Sequence, residues 1–142
     1  MIRLRNILQH RTMFSAQITD SVADVSETMA DLNVGAILVL ENNRLCGLFS
    51  ERDLLKRVVV SGLHPESTRV EDVMSTSLAT IEEGATVEAA MELMHEHKCR
   101  HLPVMRGPQV VGMISMRDLM DVELERKTEE IAHMRAYIAG NA

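Results

Sequence analysis

Aromatic side chains are almost missing from this chain, which has no tryptophan, one tyrosine and two phenylalanines in 142 residues. A core must then be filled by aliphatic residues and by the eleven methionines, whose unbranched thioethers adapt to irregular gaps. A methionine-rich surface for a metal or a partner is the alternative reading of the same residues. Cysteine is scarce as well. Cys46 and Cys99 stand alone, with no C-x-x-C and no framework spacing, so they read as reduced packing residues rather than redox centres. Long apolar runs are absent: none approaches the roughly 20 residues of a membrane-spanning helix. The N-terminal MIRLRNILQHR is interrupted by arginines before a signal-peptide core can form. A cytoplasmic location without a membrane partner is therefore expected. Concentrated positive charge is missing too. With 15 lysines and arginines against 21 acidic residues, a net charge of -6 and no basic cluster, nucleic acid is not an expected partner. What remains, 46% hydrophobic and 25% charged, suffices to bury a core in one ordinary domain or in two small units that share one.

One phrase is written twice. GLFSERDLL at 47–55 returns as GMISMRDLM at 112–120, a shift of 65 positions. Gapless alignment at that shift pairs Val22 with Val87, Met29 with Met94, Gly47 with Gly112, Ser50 with Ser115, Arg52 with Arg117 and Asp53 with Asp118. Upstream the shift becomes 66, pairing Leu4 with Val70 and Leu8 with Met74, which places a one-residue length difference between Leu8 and Val22. The repeats run 1–60 and 67–124. The linker 61–66 opens the Gly/Pro/Ser-containing stretch SGLHPEST, and 125–142 forms a C-terminal helix and tail.

Within each repeat the periodicity alternates between helix and strand. Val87, Ala90, Met91 and Met94 recur at helical spacing after Thr86, a suitable N-cap. Short apolar runs, AILVL or LPVM, then meet LCGLFS or VVGMIS across the turns ENNR and RGPQ, which predicts a hairpin. RDLLKRVVV and RDLMDVELE start a second helix, and brief apolar stretches near Met13 and Leu78 supply a strand before the first. Each copy is thus a β-α-β-β-α unit, and the fold class is α/β. So small a unit leaves one sheet face bare, and a second copy can cover it.

The repeated phrase itself supports two readings. S-x-x-D at a helix start is a capping box, in which hydroxyl and carboxylate satisfy free backbone N–H groups. The same arrangement could grip a nucleotide: a helix N-terminus attracts phosphate, a neighbouring guanidinium pairs with it, and an ionised carboxylate accepts both ribose hydroxyls. Gly47 and Gly112 would let a ligand or another backbone approach closely.

G-h-h-S-x-R-D-L closing a β-α-β-β-α repeat, with RHLPV at 100–104 on the preceding strand, resembles the CBS domain, and two in tandem resemble a Bateman module. VGAILVL, GLFSERDLL, RHLPV and the closing YIAG are similar in particular to stand-alone bacterial CBS pairs, which carry no attached enzyme or transporter. The resemblance covers nearly the whole chain. It implies two CBS repeats packed as a pseudo-symmetric pair, often assembled as a flat homodimeric disc. It also implies an adenine nucleotide or related ligand (AMP, ADP, ATP, NAD(H) or S-adenosylmethionine) in clefts between the repeats. The function implied is a regulatory sensor acting in trans on a client protein. By the same resemblance Asp53 and Asp118 would hold ribose, Ser50 and Ser115 would lie near phosphate, and Leu102 and Pro103 would flank the base. Arg52, Arg100, His101 and Arg117 would contact phosphate, and Thr80 would face the ligand. The first repeat has GAILV where the second has RHLPV, so the first cleft is expected to bind more weakly or not at all.

Two other classes of function stay open on the residues alone: a protein-docking module, for example on a redox enzyme, with a non-functional cleft, and a nucleotide hydrolase. No nucleophile, base and orienting residue stand at a recognised spacing, so an enzyme is not expected. HEHKCRH at 95–101 invites a metal, but H-E-x-x-H would need histidine where Cys99 stands, and no metal is expected. In the C-terminal segment Leu124, Ile131 and Ile138 recur every seven residues, with Thr128 and Met134 between them. This predicts an amphipathic helix stopped by Gly140, whose stripe packs either on its own chain or across a dimer.

Overall fold

The first long helix of each repeat starts on a hydroxyl cap. In the computed structural model, which describes residues 1–140, Ser21 Oγ accepts from the Asp24 N–H at 3.1 Å, and Thr86 Oγ1 from the Ala89 N–H at 3.1 Å. These caps open helices α2 (Val22–Leu32) and α4 (Val87–His97), which both close on a left-handed residue, Asn33 and Lys98. Each chain reversal leads into a hairpin. In the first repeat β1 (Ser15–Gln17) lies parallel to β2 (Ala36–Glu41), which pairs antiparallel with β3 (Arg44–Ser50). In the second, β4 (Ile81–Glu82), β5 (His101–Arg106) and β6 (Gln109–Ser115) repeat that order. Even the irregularities repeat: the register shifts between Val39 and Leu40 and again between Val104 and Met105, beside Gly47 and Gly112. The fold is α/β, with a three-stranded mixed sheet in each repeat.

The leading turn of each repeat is exchanged. Helix α1 (Leu4–Leu8) belongs to the first repeat in sequence, yet Leu4 is buried with Val87, Met94, Leu102 and Ile114 of the second. Its counterpart, the 3-10 turn Val70–Asp72, packs with Val22, Met29 and Phe49 of the first. Backbone bonds reproduce the pseudo-symmetry: the Leu4 N–H donates to the Ala85 carbonyl at 2.9 Å, and the Val70 N–H to the Asp20 carbonyl at 2.9 Å. Leu4 to Val70 is a shift of 66, whereas Asp20 to Ala85 is 65. Because Ala16 pairs with Val39 as Ile81 pairs with Val104, the one-residue difference lies between Leu8 and Ser15. The glycines mark where the exchanged segments cross. A Cβ on Gly47 would stand 2.8 Å from the Ser75 carbonyl oxygen, and one on Gly112 would stand 3.1 Å from Leu8 Cδ1.

A third apolar cluster joins the halves: Ala36, Leu38, Leu40 and Leu48 meet Val110, with Met105 and Met113 packed against them. Burying a side chain of this size contributes about 1.5–3 kcal/mol relative to exposure. Of the three aromatics only Phe49 is in the core.

The closing helices differ. In the first repeat α3 (Glu51–Asp53) passes directly into a π-helical turn, Leu54–Val59, and stops near Gly62 at φ 73°. In the second, α5 runs unbroken from Met116 to Gly140, because no glycine or proline interrupts it before its end. The segment expected as a separate C-terminal element is therefore the distal part of this helix.

Candidate functional site

A cleft of about 1160 Å³ opens between the repeats. One wall is the end of β6 and the start of α5, from Val111 to Asp121; facing it is the start of β2, Gly35–Leu38, with Glu51; the connector Arg11–Phe14 closes one side. The cleft thus combines the helix start of one repeat with the start of the central strand of the other.

Asp118 lines it, its side chain one-fifth exposed. The Ser115 N–H donates to Asp118 Oδ2 at 2.8 Å, and the Asp118 N–H donates to Ser115 Oγ at 3.1 Å, which completes the capping box expected from S-x-x-D. The other oxygen, Oδ1, accepts from Arg11 Nη2 at 3.0 Å. Partial burial works against ionisation, but the Arg11 guanidinium and the Ser115 N–H and hydroxyl outweigh it, leaving the carboxyl below its ordinary range. An ionised acceptor is therefore held at the cleft by a guanidinium that is itself 44% exposed.

Asp53, its pseudo-equivalent, is closed off. Only 5% exposed, it receives the Ser50 N–H at 3.0 Å and the Ser50 hydroxyl at 3.1 Å on Oδ2, then the Ser75 hydroxyl at 2.9 Å on Oδ1, with Arg57 Nε 3.6 Å away. Arg57 also donates to the Met74 carbonyl at 2.9 Å, which ties down the segment carrying Ser75. The physical cause is connector length. The stretch after Met74 is one residue shorter than the stretch after Leu8, and Ser75 bridges to Leu48 of β3 through two backbone bonds of 2.9 Å. The longer stretch turns away at Leu8–Arg11 and leaves Asp118 open.

Of the residues singled out in the sequence, Arg100, His101, Ser115, Arg117 and Asp118 line the cleft. Ser50 caps α3 beside buried Asp53, while Arg52 is exposed on α3. Thr80 is exposed just before β4. Leu102 is fully buried in the second core, and Pro103 is buried on β5 opposite Met113. His101 stands with its ring 3.7 Å from where a Gly35 Cβ would lie, next to Glu51. Burial lowers its pKa, Asp118 and Glu51 oppose that shift, and Arg100 adds to it, so the pKa lies below its usual range.

Sequence reasoning missed Arg11, Phe14, Gly35 and Glu51. Phe14 carried a signal: it is a rare aromatic in a connector and remains 48% exposed at the cleft. Arg11 and Glu51 carried none that separates them from solvated surface charges. Among the described residues no three His, Cys, Asp or Glu side chains converge as a metal site, and no helix is long and apolar enough to cross a membrane. Cys99 packs against the second core, and burial pushes its thiol pKa up, away from the reactive thiolate.

Comparison with known proteins places these features. The family model for the CBS domain matches residues 4–60 and 70–125. A mitochondrial CBS domain-containing protein of Arabidopsis thaliana, CBSX3, is 35% identical over 126 residues, covering 85% of this chain and 61% of its own length. The chain spans about three-fifths of the length of the first curated relatives it matches. Among solved structures, a protein with CBS domains from Burkholderia ambifaria, named for signal transduction, aligns with a TM-score of 0.82 at 31% identity, over 87% of this chain and 95% of that one. The CBS domain protein PAE2072 of Pyrobaculum aerophilum, complexed with AMP, aligns with a TM-score of 0.74 at 27% identity, over 82% of this chain and 89% of that one.

Proposed function

Because the chain belongs to the CBS-domain family as a tandem pair, we propose that it is a regulatory sensor holding one adenine nucleotide per chain in the Asp118 cleft and signalling its occupancy in trans to a client protein. The observation that carries this reading is the contrast between the two aspartates. Among the described residues Asp118 offers an ionised oxygen whose one hydrogen-bond partner is an exposed arginine, whereas both oxygens of Asp53 are held by the serines Ser50 and Ser75 in a buried site. In the Asp118 cleft the ribose hydroxyls replace Arg11 on Oδ1. Phosphate lies toward Ser115 at the N-terminus of α5, within reach of Arg100 and Arg117, and the base lies against Ile37, Met113 and Phe14. Support comes from the relative solved with AMP and from the one named for signal transduction.

Regulation requires that the ligand bind two arrangements of the module with different affinity. Displacing Arg11 from Asp118 supplies a local difference, since the connector 9–14 then loses its anchor on α5. The role is one of binding without turnover, in a homodimer. Isothermal titration with AMP, and mass spectrometry of small molecules released from the purified protein, test the proposal. The expected stoichiometry is one per chain. Two per chain would overturn the closed Asp53 site, and no binding of AMP, ADP, ATP, NAD(H) or S-adenosylmethionine would overturn the sensor reading.

A further inference from the structure

The apolar stripe on the distal part of α5 stays exposed. Leu119 is buried and Arg126 reaches back to Glu88 at 2.6 Å, but every residue from 127 to 140 is exposed. Leu124, Ile131, Met134 and Ile138 are 68%, 51%, 66% and 67% exposed. Helix propagation past the last packed turn is close to thermoneutral in water, so these exposed turns are stabilised by a partner that covers their apolar stripe. We infer that this partner is the same segment of a second copy, paired in parallel as a short two-stranded coiled coil.

The spacing supplies the seam. Leu124, Ile131 and Ile138 occupy successive a positions, and Lys127 and Met134 the d positions between them. β-Branched isoleucine at a favours two strands, and one polar seam residue, here Lys127, fixes register. The flanks decide the orientation. Glu130 falls at g and Arg135 at the following e, the two positions that face each other across a parallel pair, so each dimer gains two opposite-charge contacts, Glu130 to the other copy's Arg135 and the reverse. An antiparallel pair would instead set g against g, placing Glu130 near Glu130. Charge complementarity therefore selects a second copy in parallel over an unrelated apolar surface. The inference is independent of the nucleotide cleft, because none of these residues lines it.

The test uses the full chain with Cys46→Ser and Cys99→Ser, to which Leu124→Cys or Ile138→Cys is added singly. Mild oxidation without nucleotide should convert most of each protein to a disulfide-linked dimer. Cross-linking only when the two variants are mixed would show antiparallel pairing and overturn the proposal, as would no cross-linking of either. Circular dichroism of the parent chain provides the second arm. Helicity should fall on dilution from tens of micromolar to nanomolar, and Ile131→Asp should remove that concentration dependence by keeping the distal turns unwound throughout. Unchanged helicity in Ile131→Asp would mean that something other than a second copy supports α5.

Discussion

Replacing each aspartate of the repeated phrase by asparagine should give crossed outcomes. In Asp118→Asn the amide oxygen can keep the Ser115 N–H, while the amide nitrogen turns toward Arg11. That guanidinium is 44% exposed and can return to water, so the pair contributes at most about 1 kcal/mol to stability. In Asp53→Asn no orientation suffices. Ser50 donates twice to one oxygen and Ser75 once to the other, all in a site only 5% exposed, so one donor must face the new NH2 group. Loss of a hydrogen bond to a charged group costs about 1.5–3 kcal/mol, and the donor left unpaired adds to that, so about 2–4 kcal/mol is expected. At about 2–4 °C per kcal/mol for a chain of this size, the ligand-free melting temperature should drop by roughly 5–15 °C in Asp53→Asn and by less than about 4 °C in Asp118→Asn. Binding should show the reverse. AMP affinity should fall about 10- to 150-fold in Asp118→Asn and stay within about threefold in Asp53→Asn. Scanning fluorimetry with and without AMP at about 100 times its dissociation constant reads both effects, since saturation contributes about 2.7 kcal/mol of apparent stability. Equal loss of AMP protection in the two variants would refute the closure of Asp53 by Ser75. A large ligand-free drop in Asp118→Asn would mean that its carboxylate serves the fold first.

Gly47→Ala should destabilise the chain by more than Gly112→Ala, by about 2 kcal/mol in urea unfolding. The first Cβ meets a backbone carbonyl at 2.8 Å, whereas the second meets only the movable tip of Leu8 at 3.1 Å; equal costs would count against segment crossing as the reason for these glycines. His101, facing Asp118, Glu51 and Arg100, has a folded-state pKa below its ordinary value of 6.5. Between those two values the unfolded chain holds a proton that the folded chain lacks. Stability should therefore fall as pH drops below 6.5 and level off once the folded ring protonates, and His101→Gln should flatten that part of the profile. Bound AMP phosphate should raise the ring's pKa, seen as a shift of its NMR titration midpoint to higher pH; an unmoved midpoint would place phosphate away from His101.

The secondary structure was legible because each element carries a local signal: hydroxyl caps at Ser21 and Thr86, hairpin turns with Asn42 and Gly107 at positive φ, and glycines where strands are crossed. The exchange of leading turns was not legible. Leu4 and Val70 align as repeat partners whichever core receives them, and only the backbone bonds to Ala85 and Asp20 decide. The expectation of a weaker first cleft rested on its missing RHLPV equivalents, whereas the Asp118 cleft is lined both by GAIL of the first repeat at 35–38 and by Arg100 and His101 of the second. Fewer connector residues, not a poorer strand, bring Ser75 onto Asp53. A serine bonded to a carboxylate 22 positions away leaves no periodicity to read.

Cap and grip are competing readings of one motif, and under the proposed function they fall to different oxygens of a single side chain. The spacing S-x-x-D fixes Oδ2 alone, because helix geometry brings the serine N–H to that oxygen in both repeats, at 2.8 Å for Asp118 and 3.0 Å for Asp53. Nothing in the motif constrains Oδ1. Its partner comes from a third segment, Ser75 in one case and Arg11 in the other. Ser75 is held by two backbone bonds to Leu48 and closes its site as part of the fold, while Arg11 holds Asp118 through one exposed side chain. A duplicated phrase can therefore keep its capping role in both copies while only one copy leaves its second oxygen to an exposed side chain. Which copy keeps its second oxygen accessible is decided by a connector outside the motif altogether, carrying Arg11 at 107 positions before Asp118 in one case and Ser75 at 22 positions after Asp53 in the other.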